Sequence, residues 1–267
     1  MKIYDCFTYC GEDLLLELRL ETLWEKIDKF VIIEGNKFFN GKKRSKLFSE
    51  EKFKKYLSKI NYYFVEDFPE HNGNNWEYEY FLRNQIKRGL SNCESSDMII
   101  ISDVDEIPNI NIDETKNFDS YIFLQEMFYY KFNLKIVKGL KWDDKWPGPK
   151  SIKYKFFETA QKTREMRVKN IPKWRIDQKI NRKIIINGGW HFSYIMSSDE
   201  IKNKIQSFSH TEFLNFADSE HISEMIKQKK DLFERKNTEI KAVEIDSTFP
   251  KALYNNMKKY QEWIEVI

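Results

Sequence analysis

Two aspartates, Asp103 and Asp105, stand one residue apart after the apolar run Met98 to Ile101 and Ser102, and lead into Glu106-Ile107-Pro108. Side chains at i and i+2 of an extended backbone point the same way, so both carboxylates can meet one ion. A hard divalent cation such as Mg2+ or Mn2+ is bound by one or two carboxylates together with substrate phosphates. The apolar run reads as a strand buried on both faces, of the kind found inside a parallel sheet. Pro108 lacks a backbone N–H and is expected to end the extended segment. That puts both acids at the carboxyl end of the strand, where open α/β sheets hold their ligands. By spacing alone a solvated acidic turn is the better reading; directly after a buried strand, the two readings weigh evenly.

A second group comes from Ile184-Ile185-Ile186, read as another buried strand, which runs into Asn187-Gly188-Gly189-Trp190-His191-Phe192-Ser193. The glycines let the backbone approach a ligand closely, and His191 is delivered at a strand end as the aspartates are. A lone histidine is more often a hydrogen-bonded core residue than a ligand, and both readings stand at this point.

The elements that must position these residues begin with a strand over Lys2 to Tyr9, a helix over Asp13 to Lys26 and a strand at Phe30 to Ile33 that ends at Glu34-Gly35-Asn36. These read as a right-handed βαβ unit whose end is a second candidate rim. Asn40 to Phe48 is expected to be a mobile basic loop, followed by a short helix to Ile60 and a strand at Tyr62 to Val65. A helix over Trp76 to Leu90 carries Tyr80, Arg83, Asn84 and Lys87 on one face or its flank. The alternation up to Pro108 predicts a doubly wound parallel sheet.

Beyond it, Tyr121 to Asn133 is a long aromatic strand, and Trp142 to Pro149 a loop whose aromatics could stack on a sugar or pack a lid. The basic stretch Lys153 to Lys183 shows no periodicity, although it holds Arg164, Arg167, Arg175 and Arg182. Ser197 and Glu200 form a capping box for a helix to about Phe208; His210 reads as structural. Ser219 to Arg235 and Pro250 to Ile264 read as amphipathic helices.

The chain has 267 residues with 41% hydrophobic and 16% aromatic content, which excludes disorder and suits one α/β domain. A net charge of +3 is too small to argue for a nucleic-acid partner. No apolar run approaches the roughly 20 residues of a membrane span, and residues 1–10 read as a strand instead of a signal. Three cysteines without metal-ligand spacing, and no Asn-x-Ser/Thr acceptor, suit a reducing compartment, so a cytoplasmic location is expected. Neither a Walker loop nor Gly-x-Gly-x-x-Gly is present, which leaves a metal as the main phosphate holder. From residues alone the leading class is a metal-assisted transferase acting on a nucleotide-activated group. A metal-dependent phosphohydrolase or nuclease comes second, and a catalytically silent carbohydrate-binding module third.

The ordered series Ile3 to Phe7, Leu14 to Leu20, Val31 to Asn36, Ser102 to Pro108 and Gly188 to Ser193 resembles glycosyltransferase family 17 over about residues 1–235. The Asp-x-Asp-Glu-Ile-Pro and Gly-Trp-His runs are its most specific parts. The resemblance implies a GT-A fold with a Rossmann-like, mostly parallel sheet. It implies one domain with a nucleotide-binding half at 1–110, an acceptor and metal-completing half at 111–235 and a helical end at 236–267. It also implies a UDP-sugar donor, most of all UDP-N-acetylglucosamine, a glycan or glycoconjugate acceptor, a divalent cation and inversion at the anomeric carbon. Asp105 is then the direct metal ligand, Asp103 a partner to the ribose or to metal-bound water, and His191 a further ligand. Glu34, Asn36, Lys46, Arg83 and Trp190 join Asp103 around the donor; Arg83 and Lys46 would add positive charge near the diphosphate, though both also read as surface charges. The general base is sought among Glu126, Glu106, Asp144 and Asp177. Glu126 comes first because a carboxylate interrupting the apolar run Tyr121 to Tyr130 is hard to explain by packing.

Overall fold

Along the first strand Ile3, Asp5 and Phe7 alternate with Tyr4 and Cys6, and all five are buried. In the computed structural model, which describes residues 1–111, 117–168, 180–207, 209 and 211–267, both faces of that strand are accordingly covered. Strands β1 (Ile3–Thr8), β2 (Lys29–Gly35), β3 (Ile60–Val65) and β4 (Met98–Asp103) form a parallel block in the order β4-β1-β2-β3. Helix α1 (Asp13–Leu23) packs its leucines with Ile3, Phe7, Phe30 and Ile100 on one face. Helix α2 (Asn75–Asn84), capped by the Asn74 side chain, sets Tyr78 and Leu82 against Cys6, Val31, Ile99 and Ile101 on the other.

This parallel block is what the alternation up to Pro108 predicts; beyond it the sheet is mixed. Strands β6 (Ser120–Tyr129) and β7 (Leu134–Lys138) are joined by a short connection and so pair antiparallel, while β8 (Trp146–Lys153) lies on the other side of β6. β8 inserts between β4 and β6, antiparallel to both, and β11 (Glu239–Ala242) closes the far edge against β7. The result is a mixed α/β sheet continuous from β11 to β3.

Several expected elements are shorter or different. Trp146 to Pro149 belongs to β8 and not to a loop. The segment 184–186 is a half-exposed edge: β9 (Arg182–Ile185) pairs with β6, and Ile186 is 64% exposed. The helix expected from Trp76 to Leu90 turns into a 3-10 helix at Gln85, and that from Glu51 is 3-10 from Lys54 to Lys59. Helix α3 (Ala160–Arg164) lies in the aperiodic basic stretch. Helix α4 (Ser198–Ser207) starts with the Ser197–Glu200 capping box, and α5 (Ser219–Gln228) stops where Lys229 turns left-handed. The C-terminal part opens with β11 and then forms α6 (Lys251–Tyr254) and a 3-10 helix over Met257–Trp263. Phe208, His210, Arg175 and Asp177 lie outside the described residues. Among those described, no helix is long and apolar enough to cross a membrane.

The paired aspartates are not on one extended backbone. The strand stops at Asp103, Val104 and Asp105 turn, and pairing resumes in β5 (Glu106–Pro108), antiparallel to β10 (Gly189–Ser193). Pro108 does end the extended segment, as the last residue of β5, but β4 has already stopped at Asp103. Gly189 has φ +118°, and a Cβ there would come 2.2 Å from the Ile107 carbonyl oxygen, so this glycine serves the β5–β10 approach and not a ligand.

One buried guanidinium holds the turn. Arg19 of α1 is fully buried and makes a two-point ion pair with Asp5 of β1, at 2.6 and 2.7 Å. Its Nη2 also donates to Ser102 Oγ, and its Nη1 to the carbonyls of Asp103, Val104 and Glu106 at 2.8–3.1 Å. Three converging carbonyls would otherwise repel one another and face no donor. Arg19→Met should therefore lower unfolding stability by about 3–5 kcal/mol, because Asp5 is left charged and unpaired in the core. Adding Asp5→Leu should recover much of that loss. Urea denaturation reads both, and a single Arg19→Met within about 1 kcal/mol of wild type would contradict the clamp.

Candidate active site

The carboxyl ends of β1 and β4, the 103–106 turn and β10 enclose a cavity of about 350 Å³. Thr8, Asp103, Asp105, Glu106 and His191 line it, so the structure brings the predicted carboxylates and the imidazole together. A larger cleft of about 740 Å³ adjoins it and shares Cys10, Glu12, Phe39 and Lys204 with it.

His191 reaches the cavity because β10 pairs with β5 on one side and with β6 on the other, placing it opposite Glu106 and Met127. The Phe192 amide donates to the Asp105 carbonyl at 2.9 Å, which ties the turn to β10. His191 Nε2 faces Asp105 Oδ1 at 3.7 Å; its Nδ1 is buried and finds no hydrogen-bond partner among the described residues. Burial would raise the Asp105 carboxyl, but the facing imidazole, Lys204 and Arg164 outweigh it and hold the group well below the usual carboxylate range.

Asp103 is the more exposed of the pair, its side chain at 39%. Its Oδ2 accepts from Arg164 Nη2 at 2.9 Å, and its Oδ1 lies 3.5 Å from Arg83. Burial raises this carboxyl too, and Arg164 and Arg83 together lower it, against the like charge of Asp105. Arg83 lines the cavity as expected, but its guanidinium is shared with Glu79 and Gln161.

Glu106 is present and fully engaged. Its Oε1 accepts from Trp146 Nε1 at 2.6 Å and from Arg164 Nη2 at 2.7 Å; its Oε2 accepts from Arg164 Nη1 at 2.6 Å and from the Asp103 amide at 3.1 Å. A carboxylate with every acceptor direction taken orients its neighbours and is badly placed to receive a proton. Arg164, noted in the sequence only as part of a basic stretch, is the residue that links Asp103 to Glu106.

Other expected residues stand elsewhere. Glu34 is fully buried and accepts from the amides of Leu47 and Phe48, from Arg44 and from the Tyr62 hydroxyl, so it ties down the segment expected to be mobile. Asn36 binds the Glu66 carbonyl at 3.5 Å, and Lys46 pairs with Glu50 over the Tyr62 ring; neither lines the cavity. Trp190 packs in the core and donates to the Thr248 carbonyl. Asp144 accepts from the Gly139 and Leu140 amides and builds a turn. Asp177 is outside the described residues. Reading from sequence missed Arg19, Arg164, Glu12, Glu79 and Lys204, each a charged residue on a helix or at its start whose pattern resembles solvated surface.

Glu126 does not reach the cavity either: its β6 neighbour Met127 lines the wall, while Glu126 sits between Lys135 and Lys145. Burial raises its carboxyl, but the two lysines outweigh that and hold it below the ordinary range. A folded-state value below the unfolded one contributes stability that is present above about pH 4.3 and is lost as pH falls through the folded value. Glu126→Gln should therefore lower the melting temperature at about pH 7, and the gap to wild type should shrink toward about pH 3. Melts that coincide at both pH values, with activity lost, would return Glu126 to the role of base.

Comparison of the chain with curated proteins yields no match. A family model described as Glycosyltransferase family 17 matches residues 1–252. With the match spanning nearly the whole of this mixed α/β chain, including both halves of the cavity, the chain belongs to glycosyltransferase family 17.

Proposed function

We propose that the chain moves a sugar, by its resemblance N-acetylglucosamine, from a UDP-sugar to a hydroxyl of a glycan or glycoconjugate, with inversion and with a divalent cation. The observation that carries this reading is the meeting of Asp103, Asp105 and His191 with Arg83 and Lys204 in one cavity of a family 17 chain, with Arg164 bonded to Asp103. Acids and cations so mixed suit a diphosphate bound through an ion, while the adjoining cleft offers room for the remainder of a donor or an acceptor.

Asp105 Oδ1 and His191 Nε2 face each other at 3.7 Å, a donor pair of a carboxylate and an imidazole that could share one cation. The described residues contain no cluster of three or more His, Cys, Asp or Glu that could hold a metal, so phosphate oxygens and water would complete the shell. Asp105 and His191 are the two residues that would hold Mn2+ or Mg2+. When bound there, such an ion supplies Lewis-acid neutralisation of the charge that builds on the departing diphosphate.

The chain's own groups do the rest. Asp103, steadied by Arg164 and still partly exposed, would orient the donor ribose or a bound water. Arg83 supplies fixed positive charge beside it. The acceptor oxygen bonds to the anomeric carbon as the carbon–phosphate oxygen bond breaks; its proton passes to a carboxylate, and the electron pair leaves with UDP. Glu12 and Glu79 are the cavity acids with this capacity, since each is paired to one cation and neither is saturated as Glu106 is.

Calorimetric titration with UDP should show binding in Mn2+ that collapses in EDTA, and UDP-sugar should be hydrolysed slowly without acceptor. Equal affinity in both media would remove the ion from the reading. Binding of free glycans without UDP would favour a carbohydrate-binding module, and rapid cleavage of phosphate esters or nucleic acid a hydrolase. Asp105→Asn and His191→Ala should each abolish the Mn2+-dependent part of UDP affinity, and the double variant should lose little more than either, because both act through one ion.

A further inference from the structure

Asp105 presents its two carboxylate oxygens to different partners: Oδ1 to the His191 imidazole and Oδ2 to the Lys204 ammonium at 3.8 Å. Lys204 comes from α4, an element separate from those that build the aspartate turn. Its Nζ also lies 3.4 Å from Glu12 Oε1, just before α1, and near the Tyr194 ring. The side chain is 12% exposed and borders both the cavity and the adjoining cleft. Both separations exceed the roughly 2.7–2.9 Å of a tight charge-assisted hydrogen bond, and the ammonium stands between the two acids.

Lysine carries a compact charge on a flexible stem, and Glu12 gives that charge a second resting place. An ammonium beside Asp105 does there what a metal cation would do, and two cations at this range repel each other unless further negative charge is present. A diphosphate brings that charge and offers the ammonium phosphate oxygens to bind. Arg83 and Arg164 are each committed to acids other than Asp105. Arg164 is held by Glu106 through two nitrogens, and Arg83 by Glu79 and Gln161.

We propose that Lys204 is the resident counter-ion of the donor site: it neutralises Asp105 before the nucleotide arrives, opposes a divalent cation in that state, and turns to the phosphate oxygens when nucleotide and cation bind together. The inference rests on the donor reading given above and adds to it a reason for ordered loading. Cation and nucleotide become mutually dependent ligands, each improving the site for the other, and Lys204 is the residue that sets the coupling.

Calorimetry on the full chain separates this from a packing role, with Mn2+ alone, UDP alone and UDP in saturating Mn2+ as the three titrations. Lys204→Met keeps the helix-compatible stem and removes the charge. It should bind Mn2+ alone about tenfold more tightly than wild type, and bind UDP in Mn2+ about tenfold more weakly, while Lys204→Arg stays close to wild type in the Mn2+ titration. A merely structural lysine would not strengthen Mn2+ binding when removed. The proposal is overturned if Lys204→Met binds Mn2+ alone no better than wild type, an absence of binding by both included, or if its affinity for UDP in Mn2+ is unchanged. If the wild type binds no UDP in any condition, the donor reading fails instead, and the Mn2+ titration alone still decides whether Lys204 is the counter-ion.

Discussion

The Arg19–Asp5 pair is the interaction on which the site depends. It places a charged guanidinium at the end of a core strand, where an ion would normally be costly, and uses every donor: two toward Asp5, the others toward Ser102 and the carbonyls of the 103–106 turn. A β-strand that turns and resumes within two residues leaves carbonyls without ladder partners. Arg19 satisfies them from inside the protein, which leaves the side chains of Asp103 and Asp105 to face outward into the cavity. The two aspartates are thus set by a residue on a neighbouring helix and not by the pleat of their own strand.

From that turn outward, charge alternates. Asp103 leans on Arg164 and Arg83, Asp105 on His191 and Lys204, and Glu106 binds Arg164 and Trp146. In a partly closed cavity such alternation keeps the carboxylates ionised against the pull of burial, as the lowered carboxyls of Asp103 and Asp105 show. It also suits the ligand proposed for the site, an anionic diphosphate with its cation, which carries both signs. Glu106 illustrates the division of labour. It is as close to the chemistry as the aspartates, yet its hydrogen bonds make it the brace of Arg164 and of the Trp146 indole.

Much of the parallel half was legible in the sequence because its strands are uninterrupted apolar runs and its helices fall between them. The 31–36, 102–108 and 188–193 motifs identified the family, and they mark strand ends that the fold does bring together, except that the first of them is a buried brace. The antiparallel half was harder to read. Strands β6 to β8 have no crossover helices, and their mixture of aromatic, proline and charged residues resembles loop as much as strand. Glu126 stands off the cavity for a related reason: a carboxylate in an apolar run suggests function, whereas here the flanking Lys135 and Lys145 face it. Arg19, Arg164 and Lys204 carry no periodic signal at all, since their roles come from long-range contacts with residues far away in the chain.

The most direct measurement is a crystal structure of the protein with UDP and Mn2+, with anomalous data collected at the manganese edge. The predicted result is one manganese peak in the cavity, within about 2.3 Å of an Asp105 oxygen and of an imidazole nitrogen of His191, with diphosphate oxygens completing its shell and Arg19 still bonded to the 103–106 turn. A manganese bound away from Asp105 and His191, or a nucleotide seated with its diphosphate outside this cavity, would contradict it.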